Sequence, residues 1–112
     1  MEKLLKNKTI LISGVGKGLG LEMLNNCIEN GAFVYGFTRS QEDIIKIKSK
    51  FKKNSKFFLG DATNEKFLKK LFRYFKKNKI ILNGLINNAG QRQRISFLDI
   101  MKKDIKKILE VN

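Results

Sequence analysis

The chain has no histidine and no proline, a single cysteine, and ten acidic residues against 24 Lys and Arg in 112 positions. Without histidine, Ser-His-Asp catalysis, histidine-ligated metals and an imidazole proton relay are all excluded, so any chemistry must use another base. The lone cysteine, Cys27, excludes an internal disulfide and fits a reducing compartment. Its neighbours Met23, Leu24 and Ile28 make it a packed core thiol rather than a nucleophile. No apolar run approaches the length needed to span a bilayer, and residues 1–8 lack the apolar centre of a secretion signal. The expectation is a cytoplasmic protein. No proline or low-complexity tract marks a linker, and 42% hydrophobic residues suffice for a core, so residues 1–112 are expected to form one domain.

The net charge of +14 invites a nucleic-acid reading. Most of the cations, however, are lysines dispersed over expected helix faces: Lys46, Lys48, Lys50, Lys69, Lys70, Lys76 and Lys77 among them. No zinc-finger spacing, basic zipper or RNP-like aromatic pattern accompanies them, so the lysines read as a solvated surface and no specific nucleic-acid partner is expected. The same field still favours anionic ligands.

What the sequence does contain is an alternation of strands and helices. Thr9–Ser13 reads as a strand, Gly18–Asn30 as a helix closed by Gly31, and Ala32–Thr38 as a second strand. Ser40 precedes a helix over 41–52 whose apolar side is Ile44, Ile45, Ile47 and Phe51. A short strand over 56–59, a helix over 64–77, a fourth strand over 82–86 and a helix over 96–111 complete the pattern. Such alternation implies right-handed crossovers and a parallel sheet, with ligands bound beyond the carboxyl ends of the strands.

Those carboxyl ends carry the notable polar residues. The first is Ser13-Gly14-Val15-Gly16-Lys17-Gly18-Leu19-Gly20, running from a strand into a helix. Glycines there allow a sharp turn and close backbone approach, and the following helix offers free N–H groups and a positive dipole end to a diphosphate. The P-loop pattern fails, and so does GxGxxG, because Leu19 stands where its third glycine belongs. The spacing that fits is Gly14-xxx-Gly18-x-Gly20. The other ends are Thr38-Arg39, Gly60-Asp61-Ala62 and Asn87-Asn88-Ala89-Gly90.

Taken in order, these residues resemble the short-chain dehydrogenase/reductase family over essentially the whole chain, including its 3-oxoacyl-carrier-protein reductase-like members. The glycine loop matches with Ser13 in place of the usual threonine, and Asn87-Asn88-Ala89-Gly90 matches the family's NNAG. The resemblance implies a Rossmann-type doubly wound α/β sheet with flanking helices, truncated after the fourth βα unit. It implies that Asp61 meets the adenine edge with Ala62 as backbone neighbour, and that Asn88, Ala89 and Gly90 border the adenosine ribose. Asn112 stands where the family has an asparagine that maintains a proton-relay water. A carboxylate at the end of the second strand would select NAD(H); here Thr38 occupies that position, with Arg39 beside it and Lys17 in the loop, so NADP(H) is favoured.

The implied activity is NADP(H)-dependent interconversion of a carbonyl and an alcohol, on a small-molecule or carrier-bound substrate, in a homo-oligomeric full-length protein. The family's catalytic serine and YxxxK have no counterpart in these 112 residues, since Tyr35 is followed four residues later by Arg39 and Tyr74 by Asn78. The expectation is therefore the cofactor-binding portion of an oxidoreductase, inactive alone and prone to associate through an unpaired fourth strand. A non-catalytic dinucleotide-binding module stays open as the alternative.

Overall fold

Five residues of almost uninterrupted apolar character, Thr9–Ser13, form β1, and all but the first are buried. That is the pattern of a strand covered on both faces. In the computed structural model, which describes residues 3–88, β1 is followed by α1 (Gly18–Glu29), β2 (Phe33–Thr38), α2 (Gln41–Lys50), β3 (Ser55–Leu59), α3 (Glu65–Lys77) and β4 (Gly84–Asn87). The strands form one parallel sheet in the order β3-β2-β1-β4. The direction of winding reverses at β1, so β1 and its neighbours converge on the place where a doubly wound sheet opens a crevice. This is the Rossmann-type architecture expected from the sequence.

Strand periodicity sorts the core into two layers. Ile10 and Ile12 of β1, Val34 of β2 and Phe57 of β3 face α1 and α2, where they meet Leu24, Cys27, Ile44 and Ile47. Leu11, Tyr35 and Phe37 face the opposite way and are covered by Leu68, Leu71, Phe72 and Phe75 of α3. Helix α3 is amphipathic in the expected sense, with Lys66, Lys69, Lys70, Arg73, Lys76 and Lys77 exposed on its other side. Cys27 is a buried thiol of α1, and burial raises its pKa, as fits a core residue.

Most boundaries differ from the sequence expectation by a residue or two, and three of the differences have a local cause. Helix α2 ends at Lys50 rather than 52, and Ile45, placed on its apolar side, is 62% exposed. Ile44 and Ile47 lie three positions apart on one stripe, and the intervening turn rotates Ile45 off it. Asn64 lies before α3 as its cap, accepting a hydrogen bond from the Phe67 N–H at 3.0 Å. β4 begins at Gly84 because Asn83 is engaged with the foot of β1: the Thr9 N–H donates to Asn83 Oδ1 and the Asn83 N–H to the Thr9 carbonyl, each at 2.8 Å.

Candidate functional site

The carboxyl end of β1 is fixed before any ligand is considered. Ser13 is fully buried; its hydroxyl donates to Asn87 Oδ1 at 2.8 Å and accepts from the Asn88 N–H at 3.0 Å. The Asn88 side-chain amide donates in turn to the Gly14 carbonyl at 3.1 Å. Ser13 and Asn88 therefore lock β1 to β4 at the point where the glycine loop departs. On the other side, the N–H groups of Gly14 and Val15 both donate to the Phe37 carbonyl of β2, at 3.0 and 3.2 Å.

The loop then turns through left-handed backbone at Gly14, Gly16 and Gly18, with φ of 71°, 123° and 58°. At Gly16 a side chain is also sterically barred, because a Cβ would lie 2.9 Å from Cβ of Asp43. The first turn of α1 passes so close to the loop that a Cβ on Gly20 would fall on the Gly14 carbonyl oxygen. Helices α2 and α3 are capped by the side chains of Ser40 and Asn64, whereas Lys17 at the head of α1 provides no side-chain cap and the first turn contains no acid. The leading N–H groups of α1 thus lack both a capping side chain and an acidic neighbour, the arrangement that suits a diphosphate.

A groove of about 300 Å³ runs across these strand ends. It is lined by Gly14 and Lys17 of the loop, Thr38 and Arg39 after β2, Asp61 and Ala62 after β3, and Asn88 after β4. Residues singled out at four separate places in the sequence thereby form one surface. Ser13, Gly16, Gly18, Leu19 and Gly20 do not line it. Ser13 braces it from beneath, Gly16 and Gly20 allow the loop to close, Gly18 faces open space, and Leu19 is 57% exposed. Ala89, Gly90, Asn112 and the expected helix over 96–111 lie outside the described residues.

Asp61 is held by its own turn. Its Oδ1 accepts from both the N–H and the hydroxyl of Thr63 at 2.9 Å, and its Oδ2 lies 3.7 Å from the Arg39 guanidinium. The Thr63 backbone N–H chiefly pulls its pKa below the ordinary carboxylate value; partial burial opposes this, and the Thr63 hydroxyl and Arg39 add to the lowering. A carboxyl with a lowered folded pKa contributes stability that is complete above the unfolded value and lost as pH falls through the folded one. The urea midpoint of Asp61→Asn should accordingly lie below that of the native chain at pH 6, and the gap should close on acidification toward pH 3. A gap independent of pH would remove ionised Asp61 as its cause.

Phe37, Ser40 and Asp43 also line the groove, and the sequence pattern did not place them there. Ser40 accepts from the Asp43 N–H at 3.2 Å, and the S-x-x-D spacing of a helix start was the available signal. The tyrosines stand apart from the groove. Tyr35 is buried among Phe33, Phe58, Tyr74 and Phe75, its pKa raised first by burial and then by Tyr74. Tyr74 accepts from Lys56 on the edge strand. Among the described residues no group of three His, Cys, Asp or Glu could hold a metal, and no helix is long and apolar enough to cross a membrane.

Comparison with known proteins agrees with this geometry. The family model for short chain dehydrogenase matches residues 8–112. An oxidoreductase of Saccharomyces cerevisiae, described as uncharacterized, is 27% identical over 108 residues, covering 94% of this chain and 42% of its own length. The NADPH-dependent pterin aldehyde reductase of Arabidopsis thaliana is 25% identical over 108 residues, covering 94% of this chain and 45% of its own. The crystal structure of a short chain dehydrogenase/reductase from Saccharomyces cerevisiae superimposes with a TM-score of 0.69 at 24% identity, over 91% of this chain and 50% of that one. The chain spans less than half the length of these two curated relatives.

Proposed function

The chain belongs to the short chain dehydrogenase family, and from that premise we propose that residues 3–88 are the nucleotide-binding portion of an NADP(H)-dependent oxidoreductase interconverting a carbonyl and an alcohol. One observation supports this above the rest: a single groove gathers Gly14, Lys17, Thr38, Arg39, Asp61 and Asn88 beside an α1 N-terminus that no side chain caps. The steric bars at Gly16 and Gly20 fit a cradle for a diphosphate, since both keep the loop backbone where its N–H groups can be approached. When bound, the dinucleotide supplies the hydride. The residues of this chain bind and orient it: the loop and α1 at the diphosphate, Asp61 and Ala62 at the adenine, Asn88 at the ribose.

The preference for the phosphorylated cofactor rests on Thr38 and Arg39. Thr38 puts no negative charge at the end of β2, and the Arg39 side chain is 73% exposed in a 3.7 Å pairing with Asp61. An exposed pair at that distance contributes little, so the guanidinium is free to turn to a phosphate and bind it through two donors. The pterin aldehyde reductase relative, whose name specifies NADPH, supports the same choice. Arg39→Ala should weaken NADPH binding about ten- to a hundredfold and leave NADH nearly unchanged, read by nucleotide fluorescence titration. Equal losses for both nucleotides would defeat the phosphate role.

The substrate proposed is a small-molecule or carrier-bound ketone, aldehyde or alcohol.

A further inference from the structure

Asp43 is a residue nine-tenths buried in the wall of the groove, where it adds a second carboxylate to that of Asp61, facing the two cations Lys17 and Arg39. It belongs to the first turn of α2, where an acid ordinarily serves the helix dipole. Glu42, one residue earlier, serves that purpose from an exposed position. The capping requirement of α2 is met by the Ser40 hydroxyl, which takes the Asp43 N–H and leaves the Asp43 carboxylate uninvolved. That carboxylate is pressed instead against the glycine loop, with Cγ and Oδ2 each 3.4 Å from the position a Cβ on Gly16 would take.

Among the described residues the Asp43 side chain has no hydrogen-bond donor or salt-bridge partner, although Lys17 and Arg39 line the same groove. Its oxygens are not among the buried atoms left without a partner, so they open onto the groove, where they can accept a hydrogen bond from a donor brought to them. A hydroxyl can supply that bond. A phosphate dianion cannot, and it is repelled.

We infer that Asp43 is a specificity-determining residue of this groove, favouring a ribose hydroxyl and opposing the 2′-phosphate that Lys17 and Arg39 attract, so that it narrows the margin between NADPH and NADH. The inference rests on the dinucleotide-binding reading above. Specificity is a difference of two affinities, and a repulsive group in the same groove as Lys17 and Arg39 reduces that difference without abolishing binding.

The test is a pair of titrations, NADPH and NADH, on the native 112-residue chain and on Asp43→Asn, which keeps the shape and the backbone N–H donated to Ser40. The NADPH-to-NADH affinity ratio should rise about tenfold in Asp43→Asn, through tighter NADPH, weaker NADH or both. Asp43→Glu, which keeps the charge, should restore the ratio. A merely structural role in α2 would lower the melting temperature and weaken both nucleotides equally, and an unchanged ratio overturns the inference. If the native chain binds neither nucleotide, the dinucleotide reading itself fails, and the inference fails with it.

Discussion

Gly20→Ala is expected to abolish dinucleotide binding and to destabilise the chain, although it adds only one methyl group. A Cβ there falls on the Gly14 carbonyl oxygen and lies 2.7 Å from the Asn88 side-chain nitrogen. No rotamer change can relieve this, because the first obstacle is backbone. The Gly14 carbonyl is also held by the Asn88 amide, and the Gly14 N–H is bonded to Phe37. Moving α1 away to accommodate the methyl would disturb the β1–β4 lock and the loop together. Overpacking of this kind costs about 1–3 kcal/mol, and misplacing the α1 N-terminus removes its N–H groups from a diphosphate.

The comparison that isolates the cause is Gly18→Ala. Nothing lies within 4 Å of a Cβ at Gly18, so the added cost there is that of a left-handed backbone, φ 58°, about 1 kcal/mol. NADPH binding should weaken more than about a hundredfold in Gly20→Ala and only a few-fold in Gly18→Ala, with the larger drop in melting temperature in the former. Similar losses in the two variants would mean that close approach of α1 to the loop is not what the glycines secure.

The contrast between these glycines shows where sequence reading succeeds and where it stops. The spacing Gly14-xxx-Gly18-x-Gly20 was legible because strand, loop and helix are contiguous, and the elements around it were legible because burial on both faces leaves near-continuous apolar runs. Spacing does not say which glycine is required by contact and which by backbone angle. It also gave no warning that Asp43 would lie against Gly16, 27 positions away by number, since that contact depends on how α2 packs beside the loop. The foot of β4 was misjudged for a related reason: Leu82 is apolar and buried like a strand residue, but the chain at 83 is tied sideways to Thr9. Apolar pattern reports burial, and in these cases a long-range hydrogen bond or contact decided what burial alone left open.

The largest effect on stability is expected from Phe75→Ala. Phe75 is completely buried at the centre of the layer between the sheet and α3, edge-on to Tyr35 with ring centroids 5.1 Å apart. Removing such a ring costs about 3–5 kcal/mol in lost transfer energy and residual cavity. A domain of this size has about 5–15 kcal/mol in total, so the melting temperature should fall by more than about 12 °C. Ile45→Ala, on an exposed site of α2, should leave it nearly unchanged.

The consequence for the groove is unequal along its length. Helix α3 holds the Gly60-Asp61-Ala62 end, since the Phe67 ring lies directly over Gly60 and stacks edge-on with Phe37. The glycine loop depends on β1, β2, β4 and α1 instead. Amide exchange in Phe75→Ala should therefore accelerate first at residues 60–75 and later at residues 13–20. NADPH at a hundredfold its dissociation constant should return about 2.7 kcal/mol of the lost stability, because only the folded chain binds it. Uniform acceleration across both segments would show instead that the two layers open as one unit, and that the adenine end of the groove has no separate dependence on α3.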